Sequence, residues 1–200
     1  MIRLLTSALA ATLLLATVAQ AQTAPPARLR GKIDAISADA MELTLRNGSK
    51  AQVKLPGDIR VTYLTVAQPS DIKEGSYIGT VSVPNPDGTW KALEVQVFPP
   101  SMRGLGEGSR EWDLVPQSTM TNGTIGSLVA SNGRTIVVTY KGGEKRVNVP
   151  DDVPFVSYEP ADRAALTMGA NVIVNGTRAT DGVVTAGSIN VGKAGLVPPM

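Results

Sequence analysis

The sequence predicts an all-β protein, and three observations carry the prediction. Apolar and polar residues alternate at period two over short runs. Asn-Gly and Asp-Gly pairs, which tolerate the positive φ of tight hairpins, separate those runs. The same pattern occurs twice. Residues 43–97 align without a gap on residues 137–191, at an offset of 94, with identities such as Gly48/Gly142, Pro56/Pro150, Gly75/Gly169, Asp87-Gly88/Asp181-Gly182 and Val97/Val191. The shared residues are turn glycines, Asp-Gly turns and apolar strand positions, so each repeats a physical role.

Residues 1–21 read as a secretory signal peptide. Arg3 precedes the apolar run Ala8 to Val18, and Ala19-Gln20-Ala21 supplies the small residues of a cleavage site. A short flexible segment is expected over 22–29. The first module, 30–99, opens on Gly31-Lys32-Ile33. Met41, Leu43 and Leu45 then alternate with polar neighbours up to the Asn47-Gly48 turn, and Ala51, Val53 and Leu55 return to Pro56. IRVTYLTV is extended, PSDIKEG reads as a helical turn closed by a glycine, and SYIGTVSV and WKALEVQVF form the closing hairpin. Residues 100–118 form a connector rich in Gly and charge. The second module, 119–193, repeats the plan with PADRAALTMG as its helical turn, and residues 194–200 are a tail.

Five or six short antiparallel strands in about 70 residues predict a small closed barrel, because closure hides the strand edges. A helical turn before the last two strands suits an oligonucleotide/oligosaccharide-binding (OB)-like barrel. The expectation is therefore two tandem OB-like barrels.

Each module also resembles the small exported bacterial β-barrel modules grouped as DUF5666-like. The residues that carry the resemblance are Gly31/Gly123 opening a strand, Pro56-Gly57-Asp58 and Pro150-Asp151-Asp152 after the third, Gly75/Gly169, and Asp87-Gly88 through Ala92 with Asp181 through Ala186. It covers nearly all of residues 30–193 and implies fold more than function. The connector resembles a segment of small exported proteins sometimes labelled metal-transporter components, which implies a role in metal or small-ligand handling.

Composition narrows the chemistry. The chain contains no histidine and no cysteine, which excludes Ser–His and Cys–His nucleophiles, His/Cys zinc sites and disulfides. Nineteen basic residues against seventeen acidic ones, with two Trp, four Tyr and two Phe, do not make the basic, aromatic groove that single-stranded nucleic acid needs. Asp58, Asp87, Asp151, Asp152 and Asp181 sit in turns and read as backbone caps. Met41, Met102, Met120, Met168 and Met200 are the soft ligands left to the cleaved chain, and no M-x-x-M groups them. No catalytic residue, metal set or cofactor site is expected, and no transmembrane segment after cleavage.

One stretch stands apart. GLGEGS, residues 104–109, lacks the strand and helix of a dinucleotide loop and the Gly-Lys-Ser/Thr of a P-loop, so it reads as a hinge. Around it Arg103, Glu107, Arg110, Glu111, Trp112 and Asp113 crowd into eleven residues. A loop tryptophan beside arginines is a typical interface anchor, and these six are the expected partner or ligand patch. The functional expectation is a periplasmic or secreted, non-enzymatic binding or interaction scaffold. The alternative is a periplasmic accessory to metal or small-ligand handling, with the connector as its site and a protein or small ligand as its partner.

Overall fold

The computed structural model describes residues 24–129 and 134–200, and these form thirteen strands in one hydrogen-bonded network. The expected signal peptide lies outside the described residues. The first repeat supplies β1 (Pro26–Ile36), β2 (Ala40–Leu45), β3 (Lys50–Lys54), β4 (Arg60–Val66), β5 (Tyr77–Pro84) and β6 (Trp90–Val97). The connector contributes β7 (Gly108–Glu111). The second repeat supplies β8 (Thr119–Val129), β9 (Thr135–Tyr140), β10 (Gly143–Asn148), β11 (Phe155–Pro160), β12 (Asn171–Arg178) and β13 (Val184–Gly192). The two helical turns are 3₁₀ turns, Pro69–Asp71 and Arg163–Ala165. The turns end at Ile72 and Leu166, not at the glycines expected to close them; Gly75 and Gly169, at φ of 80° and 84°, sit in separate turns closed by Ser76 N–H to the Lys73 carbonyl and Ala170 N–H to the Thr167 carbonyl.

Hydrogen bonding does not follow the boundaries 30–99 and 119–193. The meander β1–β2–β3 closes through β13 and β12, with β3 parallel to β13 and β12 antiparallel to β1. The meander β8–β9–β10 closes in the same way through β6 and β5. Each ring of pairings thus takes three strands from one repeat and two from the other. β4 and β11 carry the chain across. They pair antiparallel with each other, and each lies parallel to the fifth strand of its own ring, β13 and β6.

The cores follow the rings. Leu29, Ile33, Leu43 and Val53 of the first repeat pack with Val172, Val174, Val184 and Ile189 of the second. Ile78, Ala92 and Val95 pack with Ile125, Ile136, Val138 and Val147. A third cluster, formed by Leu64, Val81, Met120, Val156, Ile173 and Met200, uses the outer faces of both rings. Strand alternation explains the division. On β13, Ile189 and Val191 enter the first core, so Ser188 and Asn190 face outward. Gly31 and Gly123 mark where backbones nearly touch, since a Cβ on either would lie 2.4 Å from the carbonyl oxygen of Thr44 or Thr139.

Both ends depart from expectation. β1 begins at Pro26, so residues 26–29 of the segment read as flexible are paired strand, with Arg28 opposite Asn175. The tail makes a 3₁₀ turn at Lys193–Gly195, and Met200 is buried in the third cluster, where apolar contact holds it. Among the described residues, no helix is long and apolar enough to cross a membrane.

Candidate functional site

Residues 100–118 lie against both rings. Gly104, Gly106 and Gly108 have φ of 85°, 58° and 125°, values that side chains with a Cβ rarely adopt. The three glycines serve this winding path, and β7 then pairs with β8 from Gly108↔Asn122 to Glu111↔Thr119. The Leu105 carbonyl accepts from Tyr77 Oη at 3.1 Å and from Asn122 Nδ2 at 3.0 Å. The stretch read as a hinge is a docked segment, because its backbone finds partners on β5 and β8.

The six patch residues divide into two groups. Arg103 donates to the Gly75 carbonyl at 2.5 Å, and Glu107 accepts from the Lys141 amide at 3.1 Å. These two tie the connector to the β8–β9–β10 ring. Arg110, Glu111, Trp112 and Asp113 gather instead around Arg28 on β1. The Arg28 guanidinium lies 3.5 Å from the Trp112 ring centroid, and Arg110 lies 5.5 Å from it. Asp113 accepts from Arg28 Nη1 at 2.7 Å and from both Arg30 Nη atoms at 2.7 and 3.1 Å. The Arg30 bonds, then those of Arg28, hold the Asp113 carboxyl down at about 2. Glu111 is exposed and makes no side-chain hydrogen bond among the described residues.

Beneath this connector, between the two rings, is a cavity of about 350 Å³. Met102, Leu105, Gly106, Arg110 and Trp112 form its roof. One wall comes from the β8–β9–β10 ring and its neighbours: Gln96, Phe98, Met120, Asn122 and Tyr158. Phe98 stacks on Tyr158 at 5.2 Å between centroids, and Tyr158 Oη donates to Gln96 Oε1 at 2.5 Å. Burial pushes the Tyr158 phenol above its ordinary range. Met200 closes the end, where its Sδ accepts from Gln96 Nε2 at 2.8 Å.

The opposite wall is a ladder row. Cross-strand partners place Arg60 beside Ser188, Ser188 beside Asn175 and Asn175 beside Arg28, across β4, β13, β12 and β1. The next row runs Thr62, Asn190, Ile173, Arg30. The repeat places an unlike row on the other ring, where Met120, Val81 and Glu94 are partners. Those three are at most 2% exposed, so this copy of the surface is packed shut except where Met120 borders the cavity, while the other copy lines it with polar side chains. Glu94 is wholly buried, and neither carboxyl oxygen has a hydrogen-bond partner among the described residues. Burial pushes its carboxyl up to about 8, against the opposing pull of Gln96, Arg30 and Arg46.

Arg28, Arg60, Thr62, Asn175, Ser188 and Asn190 were not among the residues singled out in the sequence. They occupy outward positions of alternating strands, where polar residues read as solvent-facing. The signal lies at two aligned pairs, Glu94/Ser188 and Val81/Asn175, where a carboxylate stands against a hydroxyl and an apolar side chain against an amide.

Comparison with protein-family models, with curated proteins and with solved structures gives no match.

Proposed function

We propose that this chain is an exported, non-enzymatic binding protein of two OB-like barrels, akin to the DUF5666-like modules, that holds a small ligand under its connector. The observation that carries the reading is the cavity between the rings. Its lining draws polar and aromatic side chains from both repeats, and the connector roofs it. A volume of about 350 Å³ falls within the range of small-molecule sites. The OB-like assignment rests on the order of pairings in each ring, a meander of three strands closed by a hairpin with a parallel third–fifth contact. In this reading the barrels exchange their closing hairpins. The absence of histidine and cysteine from the chain favours binding over acid–base or thiol chemistry.

The test is a binding screen on the purified protein with small acids, amines, sugars and amides, read by Trp112 fluorescence and by side-chain amide NMR signals of Asn122 and Asn175. Ligand-dependent shifts at both positions are expected. No response to any compound, or turnover of an ester, glycoside or peptide panel above background, would sink the proposal.

A second reading, metal handling, draws on Met102, Met120 and Met200, which line the same cavity. Thioethers suit cuprous copper. Native mass spectrometry with Cu(I) tests it, and an adduct that survives replacement of all three methionines by leucine counts against it.

A further inference from the structure

We propose that the ligand of this cavity is a small organic anion, held through its carboxylate or phosphoryl oxygens by Arg60, Ser188, Asn175 and Asn190. The inference rests on the cavity being a binding site and names what it takes.

Arg28 Nε donates to Asn175 Oδ1 at 3.0 Å, and a guanidinium can only donate, so the Asn175 amide oxygen is fixed toward Arg28. Its Nδ2 is left without a partner among the described residues. Thr62 Oγ1 donates to Asn190 Oδ1 at 2.7 Å, which leaves Asn190 Nδ2 in the same condition. Ser188 Oγ and the exposed Arg60 guanidinium make no side-chain hydrogen bond or ion pair among the described residues. The internal bonds therefore use both amide oxygens of this wall and leave its N–H donors and the Ser188 hydroxyl; the one lining amide oxygen without a partner, Asn122 Oδ1, belongs to the facing wall. Trp112 Nε1 on the roof is a further buried donor without a partner.

Placement makes these donors one site. Ser188 is the ladder partner of both Arg60 and Asn175, and Asn190 is the partner of Thr62 in the next row. Adjacent strands lie about 4.8 Å apart, so Arg60 and Asn175 stand roughly 10 Å apart across two strand spacings. A ligand of that span can meet Arg60 at one end and the amides at the other. No carboxylate lines the cavity, whereas Arg28, Arg60 and Arg110 all do. Arg28 and Arg110 are engaged with Asn175, Asp113, Trp112 and the Gly106 carbonyl, so they add field, and Arg60 is free for a bidentate contact. A cationic ligand meets repulsion here, and a neutral one leaves Arg60 unused.

The experiment titrates citrate, glycerol 3-phosphate and glycerol into the purified protein. It follows the Asn175 and Asn190 side-chain amide signals by NMR and affinity by calorimetry. The variants are Arg60→Gln and, as a control on the exposed face of β10, Arg146→Gln. At least one anion should bind and shift both amides, while glycerol does not. Arg60→Gln should weaken binding about 10- to 100-fold, the loss expected for one charge-assisted pair, and Arg146→Gln should leave it unchanged. Citrate alone assigns a carboxylate, glycerol 3-phosphate alone a phosphate ester, and both together the shared oxyanion chemistry. Equal affinity in wild type and Arg60→Gln overturns the inference. Binding of glycerol, or of other neutral members of the screen, without either anion overturns it while the cavity reading survives. Silence from every compound removes both.

Discussion

Replacing Glu94 by glutamine should stabilise the protein, and by an amount that grows with pH. Glu94 is fully buried on β6, facing the space between the rings, with neither oxygen hydrogen-bonded among the described residues. Its carboxyl is ordinary at 4.5 in the unfolded chain and is pushed up to about 8 by burial in the folded one. The sign follows from proton binding. Below pH 4.5 both states are protonated and ionisation contributes nothing to the balance. Between 4.5 and about 8 the unfolded chain has lost its proton and the folded chain keeps it, so stability falls as pH rises. Each pH unit is worth about 1.4 kcal/mol. The loss is then about 3 kcal/mol at pH 7, and it levels off near about 5 kcal/mol above pH 8. Glutamine has the same size and no proton to lose. Urea unfolding followed by tryptophan fluorescence should therefore show wild type and Glu94→Gln close together at pH 5, and separated by about 3 kcal/mol at pH 7 and about 5 kcal/mol at pH 9. Asp113 and Lys145, which also titrate away from their usual ranges, are common to both proteins and cancel in the difference. A gap of the same size at all three pH values would refute the reasoning, because it would mean that shape and not ionisation separates the two side chains.

Asp113→Asn should show the opposite slope. The Asp113 carboxyl is held down at about 2 by Arg30 and Arg28, so its contribution is present above pH 4 and is lost as pH falls through 2. The side chain is 49% exposed, which discounts the effect to about 1 kcal/mol at pH 7, and the difference from wild type should vanish near pH 2 in acid-denaturation curves. Gly123→Ala should destabilise by about 3 kcal/mol in thermal unfolding, since its Cβ meets the Thr139 carbonyl oxygen at 2.4 Å. Gly48→Ala has open space and only a positive φ of 83° to overcome, and should lose about 1 kcal/mol in the same assay. Trp112→Ala removes the ring that Arg28 and Arg110 flank. It should lower stability by about 2 kcal/mol and speed tryptic cleavage after Arg103 and Arg110; an unchanged digestion rate would mean that Trp112 does not hold the connector down.

The elements that depend on neighbours in sequence were legible before the fold was known. The Asn47-Gly48 turn, the 3₁₀ turns at Pro69–Asp71 and Arg163–Ala165, the positive φ of Gly75 and Gly169, and the alternation of Met41, Leu43 and Leu45 are local, and the structure reproduces them. The concentration of Arg110, Glu111, Trp112 and Asp113 is local too, but only Arg110 and Trp112 of the four reach the cavity. The role of GLGEGS was half legible. Its glycines announced unusual backbone, but whether that backbone swings or docks depends on Tyr77 and Asn122, which reach Leu105 from distant strands.

Strands, turns and the repeat can be read from the residues alone, because period and turn chemistry act over a few residues. Tertiary structure alone decided which strands close which ring. The two repeats present nearly the same apolar pattern, so β5–β6 carries no local mark that sends it to β8 and β10 rather than to β1 and β3. In the structure β4 and β11, paired antiparallel, carry each chain segment across from one ring to the other. The same long-range pairing sets Arg60 beside Ser188 and Ser188 beside Asn175, residues that read singly as solvent-facing and together line one wall of a cavity.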